Sequence, residues 1–339
     1  MKIQLTKQKF TLLIMLAMAL ILGSCKSEKS EEKSEENTET AAENLAAETA
    51  KEPFFKLSLA QWSIHKMILE EGMDPFDFAS YAKDNGFAGL EYVSQLYTPA
   101  IEEYDSREEG IKQVTARLKD ESAEAGMENL IIMIDGEGDL SVNDEAARDQ
   151  AVENHKAWVD AAAELGCHSI RINLFGSLND DEWKANSIDG LSKLGAYAAT
   201  KNVNVLVENH GWQSSNAPLL MEVINTVNMD NCRTLPDFGN FCIKRKDGAK
   251  WGECEEEYAD IYEGVKLMMP AAKAVSAKSY DFDEAGMETK IDYAKMLQIV
   301  KDAGYNGYIG VEYEGNELSE EAGILATKNL LLETAKELS

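Results

Sequence analysis

Eight times after Pro53, a short run with strand character is followed by a longer stretch with helical periodicity. The runs are residues 56–61, 88–92, 129–134, 169–173, 203–208, 233–237, 274–279 and 308–313, at intervals of 29 to 42 residues. Parallel strands need a crossover of about a dozen residues or more, usually a helix, and this spacing supplies one each time. Helical stretches close on Gly86, Gly126, Gly166 and Gly304, where glycine accepts the left-handed conformation that ends a helix. Residues 144–165 place Ala147, Ala151, Trp158, Ala162 and Leu165 near one face, as a helix lying on a sheet requires. The expected fold class is therefore α/β, a single (β/α)8 TIM barrel over residues 53–339, with room for modest insertions beyond the usual size of about 250 residues. An open doubly wound sheet lacks support, because no GxGxxG follows the first strand.

The first fifty residues follow other rules. Residues 1–9 carry Lys2, Lys7 and Lys9 without an acid, and residues 10–22 form an apolar run too short for the roughly 20 residues of a membrane span. Leu22-Gly23-Ser24-Cys25 resembles a bacterial lipobox. The expectation is a signal peptide over 1–24, a lipidated Cys25, and a disordered acidic linker over 25–52, too poor in apolar residues to order itself. An outer-membrane lipoprotein follows, periplasmic or surface-exposed, touching the membrane by its lipid alone.

The chain holds 61 acidic and 33 basic side chains, a net charge of -28. Residues 26–52 contribute nine acids against four lysines and the leader three lysines alone, so the barrel itself carries -26. That field opposes nucleic acid as a partner. Cys167, Cys232, Cys242 and Cys254 show no CxxC spacing. Cys242 and Cys254 are near enough to pair within one loop, but free buried thiols are expected. Residues 253–257 read as the solvated start of a helix.

In a barrel of this kind the chemistry sits at the C-terminal ends of the strands. The fifth run ends in Glu208-Asn209-His210, the sixth in Asp237-Phe238-Gly239-Asn240, and the eighth in Glu312-Tyr313-Glu314. Converging carboxylates at the ends of apolar runs require a cation, a shared proton, or an Arg or Lys. Oxygen ligands open to water suit Mn, Mg or a similar hard divalent metal.

These endings, with Gly304-Tyr305-Asn306-Gly307-Tyr308-Ile309-Gly310-Val311-Glu312, resemble the sugar isomerase/epimerase family with xylose isomerase-like barrels, which also includes apurinic endonucleases. The resemblance spans residues 54–337 and implies that Glu208, Asp237 and Glu312 ligate a metal, with the two glutamates also acting as acid and base. The family's strand-seven His is replaced by Ser276, in Ser276-Ala277-Lys278-Ser279, and a strand-six His by Asn240. Lys278 shares a strand face with Ser276 and offers an ammonium where the metal charge would sit. The implied reaction is sugar or keto-sugar isomerisation or epimerisation by proton transfer next to a carbonyl. A non-catalytic sugar-binding protein, or a lyase or hydrolase of keto-glycosides, stays open as an alternative.

Other candidates line the expected mouth. His210 can bind a hydroxyl or shuttle a proton, and Trp62 and Trp212 can stack on a sugar ring. His65, Glu91, Asp135, Arg171, Asn173 and Asn240 complete a polar surface suited to a small carbohydrate substrate. An acidic mouth points to unphosphorylated sugars or their keto derivatives. No GxSxG elbow suggests an α/β-hydrolase.

Overall fold

In this computed structural model, residues 52–338 are described. The expected signal peptide, Cys25 and all of the linker but Glu52 lie outside the described residues.

Eight parallel strands carry the fold: β1 (Lys56–Ala60), β2 (Gly89–Val93), β3 (Glu128–Met133), β4 (Ser169–Ile172), β5 (Asn204–Glu208), β6 (Cys232–Leu235), β9 (Val275–Ser279) and β10 (Tyr308–Tyr313). Between β6 and β9 an antiparallel pair intervenes, β7 (Cys242–Arg245) and β8 (Cys254–Glu257). The sheet order is β6-β5-β4-β3-β2-β1-β10-β9. Parallel bridges Thr234↔Ala272 and Asp237↔Ser276 join its two ends, so the expected (β/α)8 barrel is the observed one. All five residues of β2 and of β9 are buried, as strands covered on both faces must be.

Helix ends obey local chemistry. Asp144 accepts from the Ala147 N–H to open the helix Glu145–Leu165, and Gly166, at φ +86°, closes it. Ala151, Trp158, Ala162 and Leu165 face the core as expected, while Ala147 sits in the exposed first turn.

Neighbours in register point the same way, so the barrel interior can be read from the pairing: Ser58 beside Gly310, Glu91 beside Ile131, Met133 beside Arg171, and Glu312 beside Lys278. Apolar residues such as Ile131, Met133, Leu206 and Leu235 fill part of this interior. A Cβ on Gly310 would lie 2.6 Å from a Glu91 carboxylate oxygen, which explains the glycine one turn of the pleat below Glu312.

The β7–β8 hairpin corrects two expectations. Cys242 and Cys254 form a disulfide rather than remaining free, while Cys167 and Cys232 are free and buried. Within the acidic run 253–257, Cys254–Glu257 form a strand, not a helix start. Opposite charges fix it: Lys244 pairs with Glu255 at 2.9 Å and Lys246 with Glu253 at 3.2 Å. Cross-strand ion pairs of this kind favour a ribbon where helical periodicity is absent.

Candidate active site

Three of the barrel strands deliver a carboxylate to one place at or just past their ends. Glu208 ends β5, Asp237 lies two residues beyond β6, and Glu312 is the penultimate residue of β10. One oxygen from each lies within 4.8 Å of the others, and all three side chains are buried. Glu314, two residues further along, stands outside this triad, so the register places Glu312 at the centre.

The triad is not bare. Arg171 Nε lies 2.8 Å from Glu208 Oε2, and Asn240 Nδ2 donates to Glu208 Oε1 at 2.9 Å. Lys278 Nζ sits 3.1 Å from Glu312 Oε1 and 2.9 Å from Glu314 Oε1, with its side chain fully buried. The Gly239 and Asn240 N–H groups donate to Asp237 Oδ1. Asn209 holds this loop in place, accepting from the Asp237 N–H and donating to the carbonyls of Asp237 and Asn240.

Ser276 Oγ lies 2.6 Å from Asp237 Oδ2 and 2.8 Å from Glu312 Oε2. One hydroxyl proton cannot serve two carboxylates, so one of them must carry a proton of its own. Burial pushes Asp237 well above the usual carboxylate range despite nearby Lys278. Burial acts on Glu312 too, but the Lys278 ammonium, Arg171 and Ser276 outweigh it and hold that carboxyl low. The consistent arrangement is a protonated Asp237 donating to Ser276, which donates to an ionised Glu312.

Glu208 differs from Glu312. Burial carries it up to about 7, against the pull of Arg171. Two neighbouring carboxyls with proton affinities driven apart are the mark of an acid and a base sharing a site. His210 Nε2 is 4.0 Å from Glu208 Oε1, and burial followed by Arg171 lowers the imidazole to about 4, so it is neutral near pH 7.

Above this floor opens a cavity of about 780 Å³. Trp62, Asp135, Arg171, Asn173, His210, Asn240 and Glu312 reach its wall, as the strand ends suggest. Asp135 accepts from Arg171 and from Asn173. Three candidates lie elsewhere. His65 stacks on Trp62 and pairs with Glu320. Trp212 is buried behind the wall, donating to the Ala249 carbonyl and so supporting the hairpin. Glu91 sits inside the barrel, accepting from Ser58 at 2.6 Å.

Burial raises Glu91 from 4.5 to about 7, which makes it a stability element with a definite sign. The folded state binds its proton more tightly than the unfolded chain does. Its stabilisation is therefore complete below pH 4.5 and is lost as pH climbs through 7. Glu91→Gln removes that loss, so its stability relative to the parent should rise by about 3 kcal/mol between pH 4.5 and 8. Urea unfolding at both ends of that range checks this; a pH-independent difference refutes it.

The hairpin residues Arg245, Lys250 and Trp251 also reach the cavity, as does Phe175, and sequence reasoning missed them. Trp251 meets Phe175 and His210 edge-on at 5.3 Å. Lys250 ties the hairpin to Asp139 at 2.5 Å. The signal available was the Cys242 and Cys254 pair flanking a basic stretch.

The triad offers three carboxylate oxygens at a spacing that a small divalent cation can bridge, and an all-oxygen donor set suits hard ions. Ser276 and Asn240 add further oxygens where an imidazole would favour softer metals. The residues therefore fit Mn or Mg, with Asp237 giving up its proton on binding.

A family profile described as xylose isomerase-like TIM barrel matches residues 79–333. No curated protein matches in sequence. Among solved structures, L-ribulose 3-epimerase aligns at 17% identity and TM-score 0.63, over 84% of this chain and 96% of that one. A 3-keto-D-glucoside 4-epimerase from E. coli aligns at 14% and 0.60, over 82% and 98%. The IolI protein with a bound zinc atom aligns at 15% and 0.60, over 84% and 99%.

Proposed function

The chain belongs to the xylose isomerase-like TIM barrel family, and we propose that it is a sugar or keto-sugar isomerase or epimerase working by proton transfer next to a carbonyl. The observation that carries this reading is the pair Glu208 and Glu312, buried side by side under one cavity with proton affinities pushed in opposite directions. Ionised Glu312 removes the proton from the carbon beside the carbonyl. Glu208, near its titration midpoint at neutral pH, returns one. Negative charge that develops on the substrate oxygen meets Lys278 and Arg171, already fixed by their carboxylate partners and so needing little rearrangement. Glu208, Asp237 and Glu312 would hold a divalent Mn or Mg ion, which when bound supplies Lewis-acid polarisation of the carbonyl. His210, neutral and at the wall, orients a hydroxyl, and Trp62 offers a ring face to the sugar. In the same reading Cys25 carries the lipid and tethers the enzyme at the outer membrane, in the periplasm or on the surface.

A panel of ketoses, aldoses and keto-sugars in deuterated water, with and without millimolar Mn, tests the reaction. Deuterium entering at the carbon next to the carbonyl, with an isomer or epimer as product, is expected. Binding without exchange would establish a sugar-binding protein instead, and loss of a leaving group a lyase. Absence of bound Mn at millimolar concentration would leave Lys278 and Arg171 to stabilise the developing charge.

A further inference from the structure

The cavity's charges do not cancel evenly. Asp135 pairs with Arg171, Glu137 with Arg107, Asp139 with Lys250, and Glu312 and Glu314 with Lys278. Every carboxylate on the wall thus has a cation beside it, Lys278 serving two of them. Arg245 is the reverse case: among the described residues it is the one arginine with no carboxylate within 4.0 Å, in a chain of net charge -28. Such an excess of acid makes an unpaired guanidinium on a cavity wall a specific placement.

Arg245 closes β7 and is held by the hairpin. Its Nη1 donates to the Gly252 carbonyl at 3.0 Å, and the guanidinium carbon lies 5.9 Å from the Trp251 ring centre. The remaining fork packs over Gly211, where an added Cβ would lie 3.5 Å from Nη2. Its Nε–H is buried without an acceptor. The adjoining residue, His210, has a buried Nδ1 that also lacks a partner. The orphaned Arg245 Nε–H calls for an oxygen acceptor, since a buried donor without one is destabilising, and His210 Nδ1 beside it can donate to the same acceptor in its Nδ1–H tautomer.

We infer that Arg245, with His210 beside it, recognises a singly charged oxyanion on the substrate, so that the sugar taken is an acidic one of the uronate class. This specifies the substrate of the proposed proton-transfer site and rests on that reading. A guanidinium fork matches a carboxylate in shape and charge. One unpaired arginine balances one negative charge. A phosphate monoester, carrying close to two at neutral pH, would leave the second uncompensated among paired acids. Holding the oxyanion on the hairpin side also orients the sugar, with its carboxylate end outward and its carbonyl end toward Glu208 and Glu312.

Calorimetric titration of the intact chain with glucuronate, glucose and glucose 6-phosphate tests this without requiring turnover. Glucuronate should bind about tenfold or more tightly than glucose, and more tightly than the phosphate ester. In Arg245→Gln the ratio of glucuronate to glucose affinity should fall to about one, and Arg245→Lys, which keeps the charge without the fork, should retain part of it. Equal affinities in the parent, or a preference that survives Arg245→Gln, would overturn the assignment; tighter binding of the phosphate ester would overturn its single charge. A failed deuterium exchange with the Arg245-dependent preference intact would count against the proposed reaction and not against this site.

Discussion

Glu312→Gln should slow proton exchange by a factor of about 1,000 or more, within the range that removal of a general base produces. The fold should survive. The glutamine carbonyl can still accept from Lys278 where Oε1 is now, and its amide can donate to the Ser276 hydroxyl where Oε2 is now. Lys278 keeps Glu314 as a charged partner, so the substitution strands no buried cation. Glu208 is left intact with Arg171 and Asn240. A melting temperature close to the parent's with exchange abolished is the expected pair of results. Full exchange on a substrate that the parent turns over would remove Glu312 from the mechanism.

Lys278→Met should be costly in both stability and rate. Methionine fills much the same volume but leaves Glu312 and Glu314 without their ammonium, and breaking a buried ion pair from one side costs about 3 to 5 kcal/mol. The pH dependence identifies the cause. Glu312 is held below its ordinary value of 4.5 in the folded state, once Lys278 and its neighbours outweigh burial. The stability gained this way is present above pH 4.5 and declines as pH falls through the folded value. The gap between parent and variant should therefore be widest above neutrality and narrow on acidification. Urea unfolding at pH 8 and pH 4 makes the comparison; a gap of equal size at both would show that lost packing, not lost charge, is responsible.

Most of the barrel was legible because its strands are buried on both faces and leave continuous apolar runs at regular spacing. The same runs located Glu208, Asp237 and Glu312, since a carboxylate directly after such a run has few structural uses. Neighbour relations were harder. That Ser276 would sit between two carboxylates depends on β9 lying between β6 and β10, and that Glu91 would point at Gly310 depends on a barrel that closes. Periodicity along one strand carries neither fact. The hairpin was missed for a different reason. Residues 242–257 are polar on both faces, so they lack the alternation that betrays a ribbon, and their pairing is set by charges that meet only across the strands. Trp212 was placed at the right strand end, but its indole is buried behind the cavity wall, where it braces that hairpin.

The disulfide-closed hairpin rises from the barrel as an element secured by its own covalent bond and its own ion pairs. Its tip can therefore change residue by residue without disturbing the strands beneath, where Glu208, Asp237 and Glu312 are locked into register. On the proposed reading, the hairpin's share in choosing the substrate and the movement of the proton are carried by separate pieces of the chain, and one can drift in evolution while the other stays still.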